Sequence, residues 1–436
     1  MNETPTAFDP YVRHLQGLAM RALAGGISPD ESAVINALGD EPSDELARTL
    51  RVADRKQGGI YFTGDVLARS LTEDLLPSHT HSIRIHDPAC GVGDLLLKGA
   101  SLLPVQSTLR DTLSDWRQTL SGTDLSGSFT AAARARLMIY AYVRWSHQMQ
   151  RVDRCDAIGF PQIRKANGLR TRKALSDATH VVLNPPYTMV PAPPGCSWAS
   201  GKVNLAALFV EHALTHVTNG TEIRALLPDV LRSGSRYERW RKLIEDKGAI
   251  HAVRLHGQFS DNADVDVFEL HMTASVSSKS MGDAWYPRTS PGILTIGELF
   301  IVRVGPVVPH RDPIAGPEAP YITAQGLPKW VTVRNIETRR RFSGTLYEPP
   351  FIVVRRTSRS DDENRLIPTL VVGPDKVAVE NHLVILQPRD KQLKTCRSLV
   401  KSLRSPTVTN WLNQRIRCRH LTVSAIKEMP LPVGTP

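Results

Sequence analysis

Short β-like runs alternate with helix-like stretches between Gly58 and Ser277. Such alternation is typical of an α/β layer sandwich, in which helices cover a mostly parallel sheet. The β-like runs are Ser82–His86, Leu120–Asp124, His180–Leu183, Ile223–Leu227, Ile250–Leu255 and Phe268–Ser275. The helical stretches between them include Gly127–Arg144, Leu205–Val217 and Tyr237–Lys247. The pattern predicts a doubly wound, Rossmann-like α/β fold that binds its ligands at the carboxyl ends of the strands.

The composition changes on both sides of this region. The segment Ser277–Gly292 is polar and contains Gly and Pro, and the chain after it is rich in β-branched residues, prolines and arginines. We predict an N-terminal helical region at 1–57, an α/β domain at 58–277 and a β-rich C-terminal domain at 291–436. The last of these ends in two helix-like pieces at Lys391–Arg404 and Thr407–Arg417.

The N-terminal region contains one strong helix signal. Apolar residues recur at helical spacing at Val12, Leu15, Ala19, Ala22 and Leu23, before Gly25-Gly26 ends the run. Ser28 followed by Pro29 predicts the N-cap and the first residue of a second helix. No chemical motif stands out here, so we expect a packing module or a small lid.

The charge balance points to a polyanionic partner. The 436 residues include 54 Lys and Arg against 43 Asp and Glu, a net charge of +11, and such an excess is most often matched to nucleic acid. A basic protein without such a partner is the alternative. The five cysteines show no CxxC pair, and His79 and His81 lie in a polar loop, so we expect no metal site. Without an apolar span or a signal peptide, we expect a cytoplasmic protein and no membrane partner.

A glycine-containing loop follows the first strand-like run, in the string IRIHDPACGVGDLLL at 83–97. Glycines let a backbone approach a ligand closely, and the following helix offers free N–H groups at its N-terminus. A bare Gly-x-Gly would indicate only a strand–helix turn. The whole string resembles the S-adenosylmethionine-binding loop of N6-adenine DNA methyltransferases. The resemblance assigns cofactor contacts to Asp87, Pro88, Ala89, Cys90, Gly91 and Gly93.

A second motif, Asn184-Pro185-Pro186-Tyr187, follows the strand-like run at 180–183. Adenine amino groups are poor nucleophiles because the nitrogen lone pair is delocalised into the ring. The Asn184 amide oxygen and the Pro185 carbonyl can accept hydrogen bonds from such an amine and expose its lone pair. Tyr187 offers a flat face for stacking. A proline-rich turn is the alternative, but the position downstream of the glycine loop resembles the amino-methyltransferases.

The order of the motifs resembles the gamma class of these enzymes. The segment 58–71 precedes the cofactor loop and resembles the family motif that contacts the methionine end of the cofactor; Thr63 matches its threonine, and Gly64 stands where proline is usual. Lys202 and Asn204 fit the fifth motif, on a helix that lines the cofactor pocket. The resemblance covers about 58–276 well and 320–434 more faintly.

Three further positions carry over from the resemblance. Asp124 stands where the family has an acid that holds the cofactor ribose, with an N-cap for the helix near Ser126 as the alternative. Asn167 stands where an acidic residue near the cofactor adenine is usual, and Asp156 is a rival for that role. Phe259 matches a second aromatic that clamps the flipped base, unless it is a core phenylalanine.

Arginines cluster in the C-terminal domain, with Phe342, Tyr347 and Phe351 among them. Guanidinium groups suit phosphates and guanine edges, although a solvated charged face is the alternative. The cluster consists of Arg334, Arg339, Arg340, Arg341, Arg355, Arg356, Arg359 and Arg365. The final stretch resembles the end of recognition domains in gamma-class and type I modification enzymes, which points to DNA contacts by Arg415, Arg417, Arg419 and His420.

The resemblance implies a site-specific DNA adenine-N6 methyltransferase in a restriction–modification or phage-defence system. Its partners would be S-adenosylmethionine, double-stranded DNA and a separate restriction nuclease or specificity subunit, since we find no nuclease motif. A protein glutamine-N5 methyltransferase or an RNA methyltransferase is one alternative, because an amide NH₂ poses a similar problem. A DNA-binding defence subunit that is inactive without a partner is another.

Overall fold

The computed structural model describes residues 6–73, 75, 83–152, 154–156, 159–260, 263–275, 285–286, 289 and 292–431. The chain forms two compact units: one of Met1–Leu231 and Arg239–Ala284, the other of Arg232–Glu238 and Trp285–Pro436. In the described residues, no helix is both long enough and apolar enough to cross a membrane.

The first unit begins with helices that share its main core. These are α1 (Asp9–Leu23), α2 (Ser32–Leu38), α3 (Glu41–Thr49), α4 (Val52–Gly58) and α5 (Gly64–Thr72). Phe8 packs edge-on against Phe129 at 5.3 Å between ring centroids. The predicted first helix is confirmed, but the predicted start of the second is wrong. Ser28 accepts a hydrogen bond from the Asp30 N–H inside a turn, and the N-cap of α2 is Glu31.

A large mixed sheet forms the centre of this unit. Its strands run in the order β3-β2-β1-β4-β7-β9-β8, all parallel as far as β7, with β9 antiparallel to both its neighbours. A separate hairpin consists of β5 and β6. The strands are β1 (Ile85–Asp87), β2 (Leu120–Asp124), β3 (Ile163–Lys165), β4 (His180–Leu183), β5 (Met189–Pro191), β6 (Lys202–Asn204), β7 (Glu222–Pro228), β8 (Gly248–Ser260) and β9 (Ala263–Ala274).

The helices that accompany the sheet begin at polar caps. Ser126 caps the long helix α8 by accepting from the Phe129 N–H, and Asn204 caps α10 in the same way from the Ala206 N–H. The helices are α6 (Asp94–Ser101), α7 (Leu109–Thr119), α8 (Gly127–Met149), α9 (Arg172–Asp177), α10 (Leu205–His216), α11 (Asp229–Ser233) and α12 (Glu238–Lys247). The prediction of a mostly parallel sheet between helices is confirmed.

The second unit is rich in short strands and ends in helices. One sheet has the order β10-β17-β14-β15-β12 and another β13-β11-β16. The elements are α13 (Ile296–Leu299), β10 (Phe300–Val304), β11 (Glu318–Ile322), β12 (Thr332–Val333), β13 (Arg339–Arg341), β14 (Phe351–Arg355), β15 (Pro368–Val371), β16 (Ala378–Val379), β17 (Leu383–Pro388), α14 (Leu393–Ser402), α15 (Pro406–Arg415) and α16 (Val423–Lys427).

Candidate active site

The loop between β1 and α6 turns on two glycines. Gly91 and Gly93 have φ angles of 50° and 89°, which residues with a Cβ adopt only with strain. A Cβ on Gly93 would lie 3.0 Å from the Cβ of Ala133 on α8. The Cys90 N–H donates to the carbonyl of Thr123 at 2.9 Å. The loop is therefore a tight turn fixed to the carboxyl end of the neighbouring strand β2.

Asp87, the last residue of β1, carries a buried carboxyl group next to this loop. Asp87 is 2% exposed, and its Oδ1 accepts from the Ala89 N–H at 2.9 Å. Pro88 is also buried, and Ala89 is half-buried. Burial raises the pKa of Asp87 to about 8, and the nearby charge of Asp124 acts in the same direction.

Asp124 lies on the other side of the glycine turn. Its Oδ2 accepts from the Gly91 N–H at 3.1 Å, and its Oδ1 accepts from the Ser126 N–H at 2.8 Å. Burial raises the pKa of this carboxyl as well. The hydroxyl of Ser126, rather than Asp124, caps α8, so the helix-cap alternative for Asp124 is wrong. The structure brings two acids, the buried Asp87 and the half-buried Asp124, to one loop.

Asn167 follows β3 and borders the same loop. Its Oδ1 accepts from the Leu169 N–H at 3.0 Å. The adjacent Gly168 lies so close to the loop that a Cβ there would be 1.9 Å from the carbonyl oxygen of Pro88. The side chain of the rival residue Asp156 is 91% exposed and pairs with Arg110 on α7. Of the two, Asn167 is the residue that the fold places beside the loop.

The side chains of Asn184 and Tyr187 contact each other directly after β4. The Tyr187 hydroxyl donates to Asn184 Oδ1 at 2.8 Å and also lies 3.2 Å from the carbonyl oxygen of Leu226. Burial raises the pKa of Tyr187 well above its ordinary value. Pro185 is buried and Pro186 half-buried. The amide oxygen of Asn184 is therefore positioned as an acceptor.

Asn204 supports Tyr187 from the start of α10. Its Nδ2 donates to the Tyr187 carbonyl at 3.0 Å, while its Oδ1 caps the helix. Lys202 lies on β6 and is exposed. The expectation that both residues lie on a helix is wrong. Lys202 and Asn204 are the first and last residues of β6, and α10 begins at the next residue, Leu205.

Phe259 lies on β8 and is 8% exposed. Its ring centroid is 6.0 Å from that of Tyr187, with the ring planes at 87°, and 6.0 Å from that of Tyr61 at 69°. The structure thus brings the two predicted clamp aromatics together. They meet edge to face, which is not the parallel arrangement that would hold a flat base between them.

Thr63 connects the segment before β1 to the two motifs. It is 8% exposed, and its Oγ1 accepts from Asn184 Nδ2 at 3.0 Å. Its own N–H donates to Asp94 Oδ2 at 3.1 Å. Asp94, the first residue of α6, also pairs with Arg136 at 2.6 Å. The site residues predicted from the sequence do not include Asp94 and Arg136, although Asp94 directly follows Gly93.

In the second unit, two of the predicted DNA-contacting arginines are buried. Arg365 is 2% exposed and donates to Asn413 Oδ1 and to the carbonyls of Ile416 and Cys418. Arg415 is 3% exposed and pairs with a glutamate. Both predictions are wrong, because these guanidinium groups hold the fold of this unit together. The aromatic residues among the arginines, Phe342, Tyr347 and Phe351, are core residues too.

Other basic residues from two separate segments meet on the surface. An antiparallel bridge joins Thr357 to His420, and the Ser358 N–H donates to the carbonyl of Arg419 at 2.9 Å. Arg359, Arg419 and His420 are exposed, and Arg356 and Arg417 are half-buried. We call this set, Arg356, Arg359, Arg417, Arg419 and His420, the basic ridge.

The described residues contain no group of three or more His, Cys, Asp or Glu side chains that could hold a metal ion. His79 and His81 lie outside the described residues, so the expectation for that pair stays a prediction. The polar break at 277–292 also lies largely outside them.

Comparisons with known proteins show a likeness of fold. No protein-family model and no curated protein matches the chain. The structure of the type IIL restriction–modification enzyme MmeI in complex with DNA matches 97% of this chain and 71% of that chain at a TM-score of 0.52 and 11% identity. The type IIG restriction endonuclease BpuSI matches 99% of this chain and 68% of its own, at a TM-score of 0.47 and 12% identity.

A modification subunit of a putative type I restriction enzyme from Vibrio vulnificus YJ016 matches 54% of this chain at a TM-score of 0.40 and 16% identity, and the match spans about half, 49%, of that subunit. The structural neighbours are thus restriction–modification enzymes and methyltransferases. The mixed α/β fold of this chain is similar to that of the restriction–modification enzyme MmeI.

Proposed function

We propose that this chain is a site-specific DNA adenine-N6 methyltransferase that uses S-adenosylmethionine, and that it is the modification component of a restriction–modification or phage-defence system. One observation carries the proposal. The glycine loop with its two acids and the Asn184 amide lie at the carboxyl ends of the adjacent parallel strands β2, β1 and β4. Ligands of such folds bind at the carboxyl ends of the strands, and methyl transfer requires that the donor and the acceptor amine are held next to each other.

The residues around the loop suit a cationic, ribose-containing cofactor. Asp87 is buried and Asp124 half-buried beside the same loop, and both have raised pKa values, so a ligand with sulfonium and ammonium charges would stabilise their ionised forms. The carboxylate of Asp124 accepts from the N–H groups of Gly91 and Ser126, and its two oxygens offer about four acceptor sites in all, so it can also accept from a ribose hydroxyl. S-Adenosylmethionine, when bound, supplies an activated methyl group. We assign its contacts to the loop 87–93, Asp124, Asn167 and Thr63.

The residues after β4 suit an adenine amino group. Asn184 Oδ1 accepts from the Tyr187 hydroxyl in this structure, and an adenine N6–H would replace that donor. The Pro185 carbonyl is the second acceptor in this proposal. A base in a duplex must leave the stack to reach such a site, at a cost of a few kcal/mol, and stacking on the ring of Tyr187 would return roughly 1–3 kcal/mol. Because the rings of Tyr187 and Phe259 lie edge to face, a clamp between them would require one ring to turn.

The second unit is the proposed target-recognition domain, at about 291–436, after a catalytic domain at 58–277 and the helical region at 1–57. The basic ridge gives it two exposed arginines and a histidine from separate segments, an arrangement that suits the phosphates of double-stranded DNA. A restriction nuclease or a specificity subunit on another chain would complete the system.

The experiment that tests this proposal is native single-molecule sequencing of plasmid DNA from a methylation-deficient host that expresses the chain. N6-methyladenine at one defined motif, absent with Asn184→Ala, is the expected result. Modified DNA that is independent of Asn184 would refute the catalytic assignment. Unmodified DNA together with methylation of a protein or RNA by the purified chain would refute DNA as the acceptor.

A further inference from the structure

The side-chain amide of Asn184 is held at both ends. Its Nδ2 donates to Thr63 Oγ1 at 3.0 Å, and its Oδ1 accepts from the Tyr187 hydroxyl at 2.8 Å. An amide presents a donor at one end and an acceptor at the other. If the amide turned by 180°, it would present N–H groups to the amine it should bind. The contact with Thr63 therefore favours the orientation in which Asn184 Oδ1 can accept a hydrogen bond from a substrate amine.

Thr63 is itself held by Asp94. The N–H groups of Thr63 and Gly64 both donate to Asp94 Oδ2, at 3.1 and 3.4 Å. Gly64 has a φ of +70°, and a proline at this position would have neither that φ nor an N–H. The glycine that departs from the usual motif thus supplies one of the two donors to Asp94.

Arg136 fixes the other oxygen of Asp94. Its Nη1 lies 2.6 Å from Asp94 Oδ1, and its side chain is 2% exposed. The same guanidinium donates to the Val92 carbonyl in the glycine loop at 2.9 Å and to the Ala37 carbonyl at the end of α2 at 2.8 Å. A buried ion pair with its remaining donors satisfied holds its geometry rigidly.

We propose that Asp94, held by Arg136, is a positioning residue that acts through Thr63 to keep the Asn184 amide oxygen facing the substrate. This inference rests on the proposed function and adds two residues to it. Asp94 contacts neither Asn184 nor Tyr187, so its effect on the Asn184 amide passes through Thr63.

The kinetic test uses Thr63→Val, which removes the hydroxyl and keeps the shape of the side chain. At saturating cofactor and DNA, we expect single-turnover methylation to slow roughly 10- to 100-fold, whereas Thr63→Ser keeps most of the wild-type rate. Asp94→Asn should also slow the reaction, and the double variant with Thr63→Val should be no slower than Thr63→Val alone, within about twofold. Effects that multiply in the double variant would overturn the inference.

A matched control is Asp177→Asn on α9. The Asp177 carboxylate pairs with Lys173 at 3.1 Å, so this variant should keep the wild-type rate. Thermal unfolding of each variant shows whether it folds. If Asp94→Asn does not fold, the comparison of the Val and Ser variants at position 63 decides the inference.

A second readout does not depend on methylation. In protein labelled with ¹⁵N-asparagine, the Asn184 side-chain NH₂ should exchange slowly with solvent in the wild type and with Thr63→Ser, and faster with Thr63→Val. Equal exchange in all three proteins would overturn the inference. If the wild type methylates no DNA, the proposed function fails, and this measurement still decides whether Thr63 holds the amide.

Discussion

Replacing Asp87 with asparagine should make the ligand-free protein more stable at neutral pH. Asp87 is 2% exposed, and burial raises its pKa from 3.8 to about 8. Because the folded state binds this proton more tightly than the unfolded chain does, the stability from the protonated carboxyl is complete below about pH 4. It is lost as the pH rises towards 8.

The size of this effect follows from the shift. Between the unfolded pKa near 4 and pH 7 lie about three pKa units, and at about 1.4 kcal/mol for each unit the loss is roughly 4 kcal/mol. Asparagine has nearly the same shape and cannot ionise, and its Oδ1 can keep the hydrogen bond from the Ala89 N–H. Asp87→Asn should therefore match the wild type near pH 4 and exceed it by roughly 4 kcal/mol at pH 7.

The assay is equilibrium unfolding of both proteins at several values from pH 4 to pH 8 without cofactor. Asp65→Asn is the control with the opposite sign. Hydrogen bonding to Lys98 lowers the pKa of Asp65, so its removal should reduce stability at neutral pH and matter less in acid. A difference between Asp87→Asn and the wild type that does not grow between pH 4 and pH 7 would refute the reasoning.

Three further predictions follow from the site and the second unit. Binding of the cationic cofactor should lower the pKa of Asp87, so calorimetry near pH 7 in buffers of different ionisation enthalpy should show proton release, and the affinity should rise from pH 6 to pH 8. Gly93→Ala, at a φ of 89° and 3.0 Å from Ala133, should lower the free energy of unfolding by about 1–3 kcal/mol in denaturant titrations. Arg365→Met should lower the thermal midpoint of the second unit, whereas Arg359→Ala should weaken DNA binding in a salt-dependent titration and leave that midpoint unchanged.

Two of the central parallel strands could be predicted from the sequence to the residue. The predicted bounds of β2 and β4 match the structure, because every residue of β4 and most of β2 are buried. The short strand β3 could not be found this way, since only Ile163 is buried and Arg164 and Lys165 are exposed. Residues 163–165 form a strand because their backbone pairs with the neighbouring strand β2.

The positions of the site residues could be predicted better than the roles of the arginines. Asp87, Asp124 and Asn184 follow strand-like runs, and parallel strands bring their carboxyl ends together at one edge. The sequence shows charge but not burial, so Arg365 and Arg415 could not be distinguished from arginines that face solvent. Only the folded unit shows that their guanidinium groups are used by internal carbonyl and carboxylate oxygens.

Two anomalies in the sequence could have pointed to the network behind Asn184. Arg136 stands three residues after Ala133 and one before Leu137, within the buried part of α8, and a charge at such a position requires a buried partner. Gly64 replaces a proline and therefore adds an N–H that requires an acceptor. Each anomaly alone has many solutions, because the partners lie 42 and 30 residues away in the chain. The carboxylate of Asp94 accepts from the Gly64 N–H and from the Arg136 guanidinium. The glycine at position 64 and the buried arginine are therefore explained by one and the same acceptor.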